Sequence, residues 1–164
     1  MKFILTLQLK KMVSNIYLNN ICKYLNNYQG TFSCDSIKKP KKNIAIATYI
    51  FNLSKKNEKG THLVAVSLKN NNVVYFDSFG LPCTNKDILS FIYSINKKYK
   101  YNSMQIQHLN SNYCGLYCMA FIMHQDKDNQ KFENFLQMFN HTKNKLKNDN
   151  IVVKYILNNT KMFA

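Results

Sequence analysis

A cysteine at the start of a helix is a candidate nucleophile, and Cys114 has that placement. Residues 107–118 read Gln-His-Leu-Asn-Ser-Asn-Tyr-Cys-Gly-Leu-Tyr-Cys. An amide side chain, a short polar loop and a Cys-Gly pair thus precede an apolar run, residues 116–123, that reads as a buried helix. A thiol in the first turn of a helix meets free N–H groups and the positive end of the helix dipole, which stabilise the thiolate and lower its pKa. Gly115 leaves the approach to the sulfur clear. The Cys114 N–H faces the oxygen that turns negative in acyl transfer, and Gln107 is a candidate second donor to it. The same residue types also suit a small buried hydrophobe, the usual state of a free cysteine, so this segment alone leaves both readings open.

A base for that thiol is found upstream. The runs His62-Leu-Val-Ala-Val-Ser-Leu68 and Val73-Val-Tyr-Phe-Asp77 are strand-like, and Lys69-Asn-Asn-Asn72 joins them as a hairpin. With a two-residue loop at Lys69 and Asn70, Val66 faces Val73, Val64 faces Tyr75, and His62 faces Asp77 across the open end. Opposed residues of an antiparallel pair share a face about 5 Å apart, so an imidazole and a carboxylate come within hydrogen-bonding reach. A slip of one residue would send them to opposite faces. In this arrangement His62 takes the thiol proton or holds the thiolate as an ion pair, and Asp77 fixes the imidazole tautomer. The thiolate attacks a peptide carbonyl, and Gln107 with the Cys114 N–H stabilises the oxyanion.

The remaining elements must hold these groups in place. Residues 13–25 carry Ile16, Ile21, Tyr24 and Leu25 at roughly helical spacing, which predicts an amphipathic helix. A turn at Gly30 and a short extended piece follow. Residues 44–53 form a strand, and residues 54–59 a polar loop ending at Gly60. Ile88, Leu89, Ile92 and Ile95 predict a core helix over residues 85–99, with Thr84 or Asn85 as its N-cap. Residues 101–107 read as a strand that delivers the loop to Cys114. Phe132, Phe135, Leu136 and Phe139 mark a helix starting near Asn129, and a last helix or strand covers residues 151–157. The aromatic stripe is core packing.

The length of 164 residues suits one domain over residues 1–164 with a substantial core. Five cysteines, odd in number and scattered, argue against a disulfide framework and for reduced thiols in an intracellular compartment. Cys114 and Cys118 are one helical turn apart and form no zinc or redox pair, and His108, His124 and His141 lack ligands at metal spacing, so no metal is expected. The apolar start, residues 1–9, is too short for a signal peptide, and no stretch is long enough to span a bilayer. The net charge of +15 predicts attraction to polyanions such as DNA as an accessory property, whereas residues 38–42, Lys-Lys-Pro-Lys-Lys, read first as a solvated loop.

Taken together, Gly30-Thr-Phe32, Asn52, Gly60-Thr-His62, Tyr75-Phe-Asp-Ser-Phe-Gly80, Gln107 and Asn112-Tyr-Cys-Gly-Leu-Tyr-Cys118 resemble the adenovirus-type cysteine endopeptidases. These are relatives of SUMO-specific proteases found in large DNA viruses and Polinton-type elements. The order His, acidic residue, Gln, Cys is the order of that family. The resemblance implies His62 as base, Asp77 as orienting acid, Gln107 as oxyanion donor and Cys114 as nucleophile. It also implies a papain-like, adenain-type α+β fold, with the central helix carrying the nucleophile beside a mixed, largely antiparallel sheet. The implied activity is cleavage of viral or mobile-element structural precursors during particle maturation, in the host nucleus or cytoplasm and in the virion, with frequent cleavage after glycine-containing sites. The family usually has tryptophan directly after its histidine; here that residue is Leu63. A peptide cofactor joined through a cysteine is not carried over, because Cys83 lies very close to Asp77. The chemistry requires no cofactor, DNA or a peptide remains a candidate activator, and a monomer without membrane contact is expected. Two alternatives stand beside this reading: a protease that removes a ubiquitin-like modifier, and an inactive basic nucleic-acid-binding protein with the protease fold.

Overall fold

The computed structural model describes residues 14–38, 45–127, 131–139 and 144–160. β-branched and aromatic runs build a five-stranded sheet from β1 (Tyr28–Ser33), β2 (Ile46–Asn52), β3 (Leu63–Lys69), β4 (Asn72–Phe76) and β5 (Tyr99–Tyr101), in the order β1-β2-β3-β4-β5. β2, β3 and β4 form an antiparallel meander, whereas β1 pairs with β2, and β5 with β4, in parallel. The sheet is therefore mixed, and both outer pairings depart from the largely antiparallel expectation.

Both faces are covered. Ile50, Leu63, Ala65 and Phe76 pack on one side against a helical layer, while Tyr49, Phe51, Val64, Val66 and Tyr75 pack on the other against α2 (Lys86–Ile95). A strand buried on both faces loses the apolar–polar alternation; accordingly, Leu63 through Leu68 of β3 are all buried. The helical layer consists of α1 (Asn15–Cys22), α3 (Cys114–Gln125), α4 (Phe132–Gln137) and α5 (Leu146–Asn159). α3 is buried from Gly115 to His124; a helix that is apolar on every side belongs in the interior. It lies on β3 with α1, α4 and α5 around it. α2 starts at Asn85, whose side chain accepts from the N–H groups of Asp87 and Ile88.

Several expectations are corrected. The hairpin loop is Asn70-Asn71, with φ of 49° and 64°, so Lys69 pairs with Asn72, Val66 with Tyr75 and Ala65 with Phe76. Two successive left-handed residues are the signature of a turn whose twist matches its strands, and asparagine tolerates them where lysine does not. Gly30 makes a bulge within β1, at φ 138°, rather than a turn. α1 ends at Cys22; its buried residues are Leu18 and Cys22, while Ile16 within it and Tyr24 past its end are exposed. α2 ends at Ile95 because Asn96 is extended. The strand expected over residues 101–107 stops at Tyr101. Beyond it, Asn102 bonds the main chain of Asp77 and Met104, and the N–H groups of Ile106 and Gln107 converge on the Ser78 carbonyl, which replaces a ladder. The last segment is a helix longer than expected, and α4 begins at Phe132. Residues 1–9, Asn129, His141 and most of the lysine run 38–42 lie outside the described residues.

Candidate active site

Three elements converge at one end of the sheet. His62 is the residue before β3, Asp77 the residue after β4, and Cys114 the first residue of α3. His62 Nε2 lies 2.8 Å from Asp77 Oδ1, and the two side chains are 14% and 4% exposed. An ionised carboxylate only accepts, so Nε2 carries the proton toward Asp77. The Cys114 thiol lies close enough for its hydrogen bonding and charge to raise the ring's proton affinity, and with Nε2 engaged by Asp77 the nitrogen left to it is Nδ1.

The electrostatics follow from these contacts. Burial disfavours a charged His62, but the hydrogen bonds and charges of Asp77 and Cys114 outweigh it and push the pKa up to about 9. Burial likewise opposes a charged Cys114. The hydrogen bond and charge of His62, with main-chain bonds from Leu63 and Gly115, reverse that effect and hold the thiol below its ordinary value. Burial drives other thiols the opposite way: Cys22 rises to about 12, and Cys118, with the charges of Cys114, Asp77 and Cys22 adding to its burial, rises well above the usual range. Cys118, one turn along α3, donates its thiol to the Leu63 carbonyl at 3.3 Å and is fully buried. Cys83 is buried beside Tyr75, with its thiol raised to about 11 mainly by desolvation. Of these thiols, Cys114 is thus the one whose surroundings favour the thiolate, beside a ring whose surroundings favour its cation.

Gln107 reaches the same place and is 1% exposed. Its amide is oriented without ambiguity: the Ser111 carbonyl can only accept and takes Nε2 at 2.6 Å, so Oε1 accepts from the Ser78 hydroxyl at 2.5 Å. One amide hydrogen remains for the cleft, a cavity of about 610 Å³ that His62, Gln107 and Cys114 line together. The Cys114 N–H is one of the unbonded donors of the first turn of α3. The structure therefore brings together all four residues singled out in the sequence: Cys114, His62, Asp77 and Gln107.

Three neighbours escaped the sequence reading. Phe79 stacks on the His62 ring, centroids 4.8 Å apart and planes at 25°, and its N–H donates to Asp77 Oδ1 at 2.8 Å. It supplies an aromatic cover for His62, while Leu63 is buried in the core on the α3 side. Asn102, 2% exposed, clamps Asp77 by accepting from its N–H and donating to its carbonyl. Ser78 holds Gln107. The motif around Asp77 drew attention to Ser78 and Phe79 as residues without giving them roles; a lone asparagine at position 102 carries no signal. Among the described residues no cluster of side chains can hold a metal ion, and no helix is long and apolar enough to cross a membrane.

No protein-family model and no curated protein matches the sequence. Among solved structures, the effector protein RavZ of Legionella pneumophila, residues 1–487, is similar over 90% of this chain and 43% of its own, with 17% identity and a TM-score of 0.35. This chain therefore spans less than half of that one, and at so low a score the likeness bears on neither fold nor activity.

Proposed function

We propose that the protein is a cysteine endopeptidase in which Cys114 attacks a peptide carbonyl, His62 carries the proton, Asp77 orients His62, and Gln107 with the Cys114 N–H receives the oxyanion. The observation that carries this reading is the His62 ring, hydrogen-bonded to Asp77 at 2.8 Å and sharing one cleft with the Cys114 thiol, close enough that each shifts the other's proton affinity. A sulfur held as thiolate beside an imidazolium is ready to add to a carbonyl without a separate deprotonation step. The negative oxygen that forms meets donors already in place, so little reorganisation opposes the step. His62 then protonates the leaving amine, and water, deprotonated by His62, releases the acyl group.

The finer assignment rests on the sequence resemblance. Adenain-type architecture, structural precursors of a virus or mobile element as substrates, and cleavage after glycine all belong to it. A single domain follows from the length, action in a reducing compartment from the five scattered cysteines, and attraction to DNA, as an accessory to the chemistry, from the net charge of +15; the protein acts as a monomer.

The test compares wild type with Cys114→Ala and His62→Ala on peptides with glycine before the scissile bond. Turnover by wild type and a loss of roughly a thousandfold or more in both variants are expected. A folded wild type that leaves these peptides intact and whose Cys114 alkylates like an ordinary thiol would overturn the reading. Cleavage of a ubiquitin-like fusion in preference to a capsid precursor would move the substrate class to modifier removal.

A further inference from the structure

Ser78 touches neither the sulfur nor the imidazole, yet three of its bonds end on the segment that carries Gln107. Its hydroxyl donates to Gln107 Oε1 at 2.5 Å, and its carbonyl accepts from the N–H groups of Ile106 at 2.9 Å and Gln107 at 3.0 Å. Ser78 is fully buried, so no water competes for these bonds. Its own position is fixed on both sides. Asn102 clamps Asp77 from the core, and Gly80, at φ 72°, returns its N–H to the Asp77 carbonyl at 2.8 Å. From the opposite side, Lys145 and Asn148 bond the Gln105 and Ile106 carbonyls at 2.9 and 2.8 Å. The strand expected to deliver Gln107 ends six residues earlier, at Tyr101. Regular structure therefore does not aim this amide.

We infer that Ser78 is the positioning residue for the oxyanion donor: it locks the Gln107 amide with its N–H toward the cleft and polarises that N–H for the charge of the tetrahedral intermediate. The inference rests on the proposed peptidase reading. Two physical effects act together. A hydroxyl on Oε1 prevents the amide from turning its oxygen toward the developing oxyanion, which would repel it. A hydrogen bond accepted at the carbonyl end of an amide also strengthens donation at its nitrogen end. The tetrapeptide Asp77-Ser78-Phe79-Gly80 thus serves both halves of the chemistry, Asp77 through His62 and Ser78 through Gln107. Ser78 acts only on the step in which negative charge develops on oxygen, and not on the formation of the thiolate.

This separation makes the inference testable with Ser78→Ala, Gln107→Ala and the double variant in the full chain, each first checked for folding by circular dichroism. Peptide hydrolysis by Ser78→Ala should fall roughly tenfold to a hundredfold in kcat with KM nearly constant, while alkylation of Cys114 by iodoacetamide, which develops no oxyanion, stays within about twofold at every pH. In the Gln107→Ala background, Ser78→Ala should add less than about a further twofold, because the group it acts through is gone. An independent readout needs no substrate: the two Gln107 side-chain amide hydrogens should be distinct and slow to exchange in the ¹⁵N spectrum of wild type, and fast in Ser78→Ala. Full hydrolysis by Ser78→Ala, an equal loss in both backgrounds, a parallel fall in alkylation, or unchanged amide exchange would each overturn the assignment. Failure of the peptidase reading shows separately, as wild type that neither hydrolyses peptide nor has an activated thiol; amide exchange still decides whether Ser78 holds Gln107.

Discussion

Between them, the Cys114 sulfur and the His62 ring set the pH range over which the site reacts. The thiolate forms as pH rises through a thiol pKa that lies below its ordinary value, and the imidazolium is lost as pH rises through about 9. The reactive ion pair exists between those limits, so kcat/KM should be bell-shaped, with its rising limb below the range of a free thiol and its falling limb near 9. His62→Ala removes the largest effects that lower the thiol pKa and leaves the burial that raises it opposed only by the main-chain bonds of Leu63 and Gly115. The alkylation profile of Cys114 should then move to higher pH, and iodoacetamide rates at neutral pH measure this directly. Cys118→Ala is the contrast. That thiol is remote from solvent and bonds only a carbonyl, so hydrolysis should stay within about threefold of wild type, with a stability loss of about 1 kcal/mol by denaturant titration. An inactive but folded Cys118→Ala would place the nucleophile on the wrong sulfur. Cys114, His62, Asp77 and Gln107 were legible at this scale because residue type names their chemistry. Ser78, Asn102 and Phe79 act through where their atoms lie, and type says little about that.

At the scale of elements, the hairpin shows how a register can be misread while its consequence survives. Closing the loop at Lys69-Asn70 pairs residues whose numbers sum to 139, whereas Val66 pairs with Tyr75, a sum of 141 by 66 plus 75. The shift moves each residue by two positions along its partner, and side chains alternate with a period of two, so every face is retained. His62, Asp77 and Phe79 lie beyond the paired residues, which end at Ala65 and Phe76, and the turn closed by the Gly80 N–H on the Asp77 carbonyl carries Phe79 onto the His62 ring beside the 2.8 Å contact with Asp77. The two parallel outer strands and the loop after Tyr101 were beyond local pattern, because side-chain clamps from Asn102, Asn148 and Lys145 replace the bonds that periodicity would reveal. Gly80 has a similar hidden role. A Cβ there would lie 2.5 Å from the Met104 carbonyl carbon, and φ is 72°. Gly80→Ala should cost about 3 kcal/mol or more from backbone strain and the clash with main chain. Because the displaced segment carries Gln107, kcat/KM of the folded fraction should fall as well. A Gly80→Ala variant as stable and active as wild type would show that this turn does not brace the site.

For the whole molecule, the sheet separates two cores with different relations to the site. The face toward α2 contains Ile88, Phe91 and Ile92; the face toward α3 contains Leu116, Met119 and Phe121. His62 and Asp77 lie just beyond the strands, where the chain leaves the sheet, and Cys114 arrives from the α3 layer alone. Truncating a fully buried side chain in either core lowers stability by a similar amount, about 2–5 kcal/mol for Ile92→Ala or Leu116→Ala, both residues being 0% exposed. Their effects on chemistry should differ. Leu116 is two residues from Cys114 on α3, and a small settling of that first turn moves the sulfur relative to His62; misplacement near 1 Å can lower rates about a hundredfold. Ile92 bears on the opposite face, and the meander lies between it and α3. Under conditions where both variants are folded, Ile92→Ala should keep kcat/KM and the Cys114 alkylation profile within about twofold of wild type, while Leu116→Ala loses about tenfold or more in kcat/KM. Equal catalytic losses at matched stability would mean that the two layers position the site jointly, and that the sheet transmits rather than isolates a disturbance on its far face.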